Sequence, residues 1–106
     1  MSGGGSGTPS GNPPDGGCLP IYKDIPLFSP VPDVLSKMKV GSELEFEIHD
    51  SNGRKSLRVE FNGETAGAVT KHAPKIISCI EQGHKYIAIV TFLDGGSCGL
   101  EARMIS

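Results

Sequence analysis

The stretch Ser42–Val69, SELEFEIHDSNGRKSLRVEFNGETAGAV, holds two Asn-Gly dipeptides, Asn52-Gly53 and Asn62-Gly63. Both central residues of a type I′ turn need φ > 0, so Asn-Gly between alternating segments predicts a tight β-hairpin. A two-residue loop at Asn52-Gly53 pairs Ile48 with Leu57, Phe46 with Val59 and Leu44 with Phe61. It also pairs Glu47 with Arg58 and Asp50 with Lys55, so apolar pairs share one face and opposite charges meet on the other. Glu45 opposite Glu60 is the one like-charge pair. The second loop places Ala66 opposite Val59 and Ala68 opposite Leu57, which predicts a third strand with small residues on its buried side.

The segments around this core follow the same logic. Met1–Gly17 is rich in Gly, Ser and Pro and has no apolar residue after the initiator, so a disordered tail is expected. Residues 18–40 read as a packed arm. Four prolines among Leu19, Ile21, Tyr22, Ile25, Leu27, Phe28 and Val31 argue against a central strand across Cys18–Pro32. Val34, Leu35 and Met38 predict a short helical turn capped by Asp33. A helix is expected from Ala73 or Pro74 to Gln82, with Ala73, Ile76, Ile77 and Ile80 as its apolar stripe and Gly83 as its stop. That stripe should lie on Ala66 and Ala68. A last hairpin turns at Gly95-Gly96 and pairs Leu93 with Cys98, Thr91 with Leu100, Ile89 with Ala102 and Ile87 with Met104. The predicted fold is mainly β: a small, partly open SH3-like or OB-like barrel over residues 41–106, in the order β-β-β-α-β-β. Phe46, Val59, Ile76, Ile80, Ile89 and Leu100 are expected at its centre.

Composition narrows the function. A net charge of −2 gives no basic field, which lowers the expectation of tight nucleic-acid binding. There is no apolar run long enough for a signal peptide core or a membrane span, so a cytoplasmic protein without membrane contact is expected. Three cysteines, an odd number, argue against a disulfide framework, and Cys79 and Cys98 read as small buried apolar residues. No ligand spacing for a metal is present, and no cofactor is expected. Ser78 or Cys79 with His72 or His84 makes no credible nucleophile–base pair, because all lie on one short stretch with no nucleophile elbow. The chain is therefore expected not to be an enzyme. Lys71, His72 and Lys75 gather at the predicted helix start, and Arg54, Lys55 and Arg58 on the first hairpin. Together with the helix N-terminus they form the candidate anion-binding face.

From Val59 to Met104 the chain resembles the HIRAN domain, a small barrel found on helicase-like ATPases and alone in bacteria. The resemblance rests on Gly63, on Ala66-Gly67-Ala68-Val69, on the helix from Ala73 to Gly83 and on Ala88-Ile89-Val90. It implies a barrel that binds single-stranded DNA ends. The family's Asn-Pro-x-Asp-x-Asn-Ala-Ile run is replaced here by Ser51–Leu57, so its binding residues do not carry over at that position. The expectation is a non-enzymatic binding module for single-stranded nucleic acid. The alternative is a protein-interaction module or accessory subunit that works through the 18–32 arm or a strand edge.

Overall fold

Both Asn-Gly turns form as expected: Asn52, Gly53, Asn62 and Gly63 all have positive φ, between 52° and 83°. They join β2 (Glu43–Ser51), β3 (Arg54–Phe61) and β4 (Glu64–Val69) in the computed structural model, which describes residues 17–106. The tail expectation, but for Gly17, falls outside the described residues. Along β2 and β3 the pairs Phe46–Val59, Ile48–Leu57, Glu47–Arg58, Asp50–Lys55 and the like-charge Glu45–Glu60 form as expected. Asp50 and Lys55, however, lie on the side of Ile48 and Leu57 rather than with Glu47 and Arg58, because residues two apart on a strand share a face.

The 18–40 segment differs from its expectation. It supplies β1 (Ile21–Phe28), which pairs with β6 (Ser97–Met104) on one side and β4 on the other. That strand closes the barrel, in the order β1-β4-β3-β2-β5-β6, where β5 is Tyr86–Asp94. There is no separate arm beside a 41–106 barrel. Pro26 is tolerated because it sits at a handover. Its pair Pro26–Gly99 is the last with β6, and Leu27–Val69 is the first with β4. A bulge at Asp24, with φ 57°, adjusts the strand between its two registers with β6.

All neighbouring strands are antiparallel, so the helices lie at opposite ends. The short α1 (Pro32–Leu35) joins β1 to β2 and brings Val34, Leu35 and Met38 into the core. Val31, not Asp33, is its N-cap residue. The longer α2 (Ala73–Glu81) joins β4 to β5 and buries Ala73, Ile76, Ile77 and Cys79. It ends as predicted at Gly83: Gly83 N–H donates to Ile80 O and His84 N–H to Cys79 O.

Two bulges moved the registers read from the sequence. Val59 pairs with Gly67 rather than Ala66, and Leu57 with Val69 rather than Ala68. Past Leu93–Cys98, Val90 rather than Thr91 pairs with Leu100, and Ile89 meets Glu101 rather than Ala102. Tyr86, Ala88 and Val90 therefore point inward, and Ile87 and Ile89 are only half-buried. Of the predicted centre, Val59, Ile76 and Leu100 are fully buried, while Phe46 and Ile80 pack at its margin.

The small residues of β4 admit β1 and α1 rather than α2, which packs on β3. Val31 N–H donates to Ala66 O, and a Cβ on Gly67 would lie 2.8 Å from Phe28 O and 2.7 Å from Leu27 Cγ. Gly67→Ala should therefore prise β1 from β4 and lower stability by about 1–3 kcal/mol in urea denaturation. An unchanged midpoint would mean that β1 shifts freely at this seam.

The cysteine expectation is corrected as well. Cys18 and Cys79 form a disulfide with Cα atoms 5.8 Å apart, tying the chain before β1 to α2. Cys98 is the free, buried cysteine. None of the described helices is long and apolar enough to cross a membrane.

Candidate binding surfaces on the projecting hairpin

The β2–β3 hairpin outruns its neighbours. The last pair of β2 with β5 is Glu45–Ile87, and the β3–β4 pairs reach no closer to the tip than Leu57–Val69. The tip, with residues 48–56, extends beyond both. Strand alternation sorts its side chains onto two faces. Phe46, Ile48, Leu57 and Val59 face the core, and Asp50 and Lys55 share their side. Glu45, Glu47, His49, Ser51, Arg54, Ser56, Arg58 and Glu60 share the outer face.

This sorting divides the predicted cations. Arg54 and Arg58 lie on the outer face with His49, Ser51 and Ser56. Lys55 lies on the opposite face and forms an ion pair with Glu81 at the end of α2. That pair raises the Lys55 pKa, through a hydrogen bond to Glu81 and then its charge. The helix-start group diverges too. The His72 ring packs on Tyr22 with centroids 5.3 Å apart. Lys75 Nζ lies against Gly17, where an added Cβ would come within 2.7 Å. Lys71 lines a depression with Ile25, Pro26 and the exposed Phe92.

The N-terminus of α2 offers less to an anion than expected. Ala73 N–H already donates to Thr70 O, and Pro74 has no N–H. His72, the N-cap residue, is left-handed with φ 64° and makes no capping bond from its side chain. The five Lys and Arg side chains and His72 therefore do not form one face. Arg54 and Lys55 line an open depression of about 660 Å³ at the hairpin tip with Ser51, Asn52 and Ser56, while Lys71 lines the other.

At its base the outer face turns acidic. Glu60 is raised above the ordinary 4.5 by a hydrogen bond from its carboxyl to Glu47, then by partial desolvation and the charges of Glu47 and Glu45. The sign follows: the native state binds this proton more tightly than the unfolded chain, so stability falls as pH rises from the unfolded pKa through the folded one. Glu60→Gln should raise the melting temperature at pH 7, with the gain shrinking toward pH 4. A gain independent of pH would show that charge is not its cause.

Sequence reasoning missed the two-faced hairpin tip, although the alternation around Asn52-Gly53 contained it. It also missed the groove of about 410 Å³ where Phe46, Ile80, Tyr86, Ile87 and Ile105 meet beside Glu45, His84 and Lys85. Nothing local could reveal that groove, since it joins three distant segments. Among the described residues no group of three or more His, Cys, Asp or Glu side chains could hold a metal ion. No family model matches the chain, and no curated protein or solved structure matches it.

Proposed function

We propose that this protein is a non-enzymatic binding module whose working element is the projecting β2–β3 hairpin, with single-stranded nucleic acid as its partner. The observation that carries the reading is the outer face of the tip, where Arg54, Ser56 and Arg58 alternate beside Ser51 and His49. Two guanidiniums and the hydroxyls of Ser51 and Ser56 can hold phosphates without reading bases. His49 is the one aromatic ring on the outer face, with no Phe, Tyr or Trp beside it, so base stacking is limited and binding is weak and dominated by charge. The resemblance to HIRAN domains supports the same partner, while the site lies on Arg54 and Arg58 rather than at the helix start.

The test is an NMR titration of the full chain with oligo-dT at 20 mM and 200 mM salt. Shifts should centre on residues 49–58 at low salt, fade at high salt, and vanish in Arg54→Glu/Arg58→Glu. Shifts centred on Lys71, His72 and Lys75, or none at all, would overturn this assignment.

A second reading, a protein partner, rests on the β2 edge. Backbone groups of Ile48 and Asp50 face away from β3, beyond the last β5 pair, and could accept an added strand. Shifts of these two amides with strand-forming peptides, without a response to oligo-dT, would favour it. The 18–32 segment is less available for such contact because β1 is built into the barrel. The expected cytoplasmic location has to meet the Cys18–Cys79 bridge, since bonds of this kind persist mainly in oxidising compartments. Both cysteines are buried, at 4% and 0% exposure, which slows reductants in any compartment.

A further inference from the structure

The outer face of the β2–β3 hairpin is polarised along its length. Its tip carries Arg54 and His49, its middle Glu47 beside Arg58, and its base Glu45 beside Glu60. Every one of these residues is exposed or half-exposed. The base opens into a depression of about 270 Å³ lined by Glu43, Glu45, Glu60 and Asn62. Glu45, Glu47 and Glu60 crowd one another there with one guanidinium, Arg58, directly across from Glu47.

We infer that this face docks a second copy of the chain, tip over base, about a two-fold axis lying between the two sheets. The charges select one register. The axis crosses the strands midway between the Glu47–Arg58 and His49–Ser56 pairs. His49 of each copy then lies over Glu47 of the other, Arg58 over Ser56, Ser51 over Glu45, and Arg54 over Glu60. Moving the axis to the Glu47–Arg58 level sets Glu47 on Glu47 and Arg58 on Arg58. Moving it to the His49–Ser56 level sets Arg58 on Arg54. Only the intermediate register joins opposite charges without a like-charge contact, and it delivers each Arg54 to the acidic depression. The contact is isologous, so it closes as a dimer. One hairpin face per copy is a small, polar interface, so the dimer is transient and weakened by salt. It covers Arg54, and so competes with any ligand held there. The inference stands on the charge pattern and does not require nucleic-acid binding.

Sedimentation velocity on the full chain at high micromolar concentration tests it. A monomer–dimer equilibrium is expected at 20 mM salt and mostly monomer at 500 mM. Arg54→Glu and Glu60→Arg should each weaken self-association by about tenfold or more, because each sets like charges together twice per dimer. The decisive sample is their equimolar mixture. In a heterodimer the substituted positions face each other with opposite charge, as do the native Glu60 and Arg54, so dimer should reappear. Circular dichroism melting confirms that both variants fold. A wild-type chain that stays monomeric at low salt, or a mixture that stays monomeric, would overturn the proposal. Glu60→Arg also separates it from the nucleic-acid reading, since that variant loses the homodimer and keeps Arg54 and Arg58 for phosphate.

Discussion

Replacing Cys18 and Cys79 together by alanine is expected to lower stability by about 4 kcal/mol, judged by the chain entropy that the bridge removes from the unfolded state. The cysteines are 61 residues apart, so the bond closes most of the described chain into one loop. It joins the segment before β1 to the buried side of α2, and β1 is the strand that closes the barrel. Reducing the bond should therefore act on the whole fold rather than on a terminus. Around it Tyr22 OH lies 3.9 Å from Cys79 Sγ and accepts from Leu19 N–H, while Tyr86 OH donates to Leu19 O at 2.6 Å. These contacts hold the segment in place and share in the loss. Urea denaturation with and without reductant measures the effect. The oxidised wild type should be the most stable species, with the reduced wild type close to the double variant. The free Cys98 thiol should react slowly with thiol reagents in the folded chain, because burial raises its pKa. Equal midpoints for the oxidised wild type and the double variant would show that the bridge adds nothing to the fold.

The hairpins were legible in the sequence because their information is local. Asn52-Gly53 and Asn62-Gly63 dictate the turn, and alternation then dictates the face of each side chain until a bulge intervenes. The bulges after Val59 and at Thr91 were not legible, since an extra residue in one strand follows from how the barrel curves. Each bulge reversed the faces beyond it, and so Ile89 lost its place in the centre to Val90. The role of residues 21–28 was hidden by Pro26. A proline argues against a central strand unless the chain changes partner beside it, and that change depends on β4 and β6 together. The disulfide was hidden because an odd cysteine count is equally consistent with one pair and one free thiol. The distribution of the candidate cations was not legible for another reason. Nearness in sequence grouped Arg54, Lys55 and Arg58, but strand alternation sends Lys55 to the opposite face and into an ion pair with Glu81.

Ile76→Ala should cost about 2–5 kcal/mol, and Ile80→Ala should cost about 1 kcal/mol, although both lie on the predicted stripe of α2. Ile76 is fully buried in the core, on the helix that packs on β3. Its removal leaves a cavity, because a closed ring of six strands cannot collapse inward at one point. Ile80 is half-buried beside Phe46 in an open groove, so water can fill the space it leaves and little cavity energy is lost. The helix has β-branched residues at Ile76, Ile77 and Ile80 and draws little support from intrinsic propensity, so its position depends on this packing. Loss of Ile76 should also loosen the Lys55–Glu81 contact and free the hairpin tip, which amide exchange at residues 54–56 would register as lowered protection. Guanidinium denaturation of the two variants side by side gives the comparison. Equal losses would mean that α2 lies flat across the sheet on its whole stripe, rather than plugging the barrel with Ile76 and Ile77.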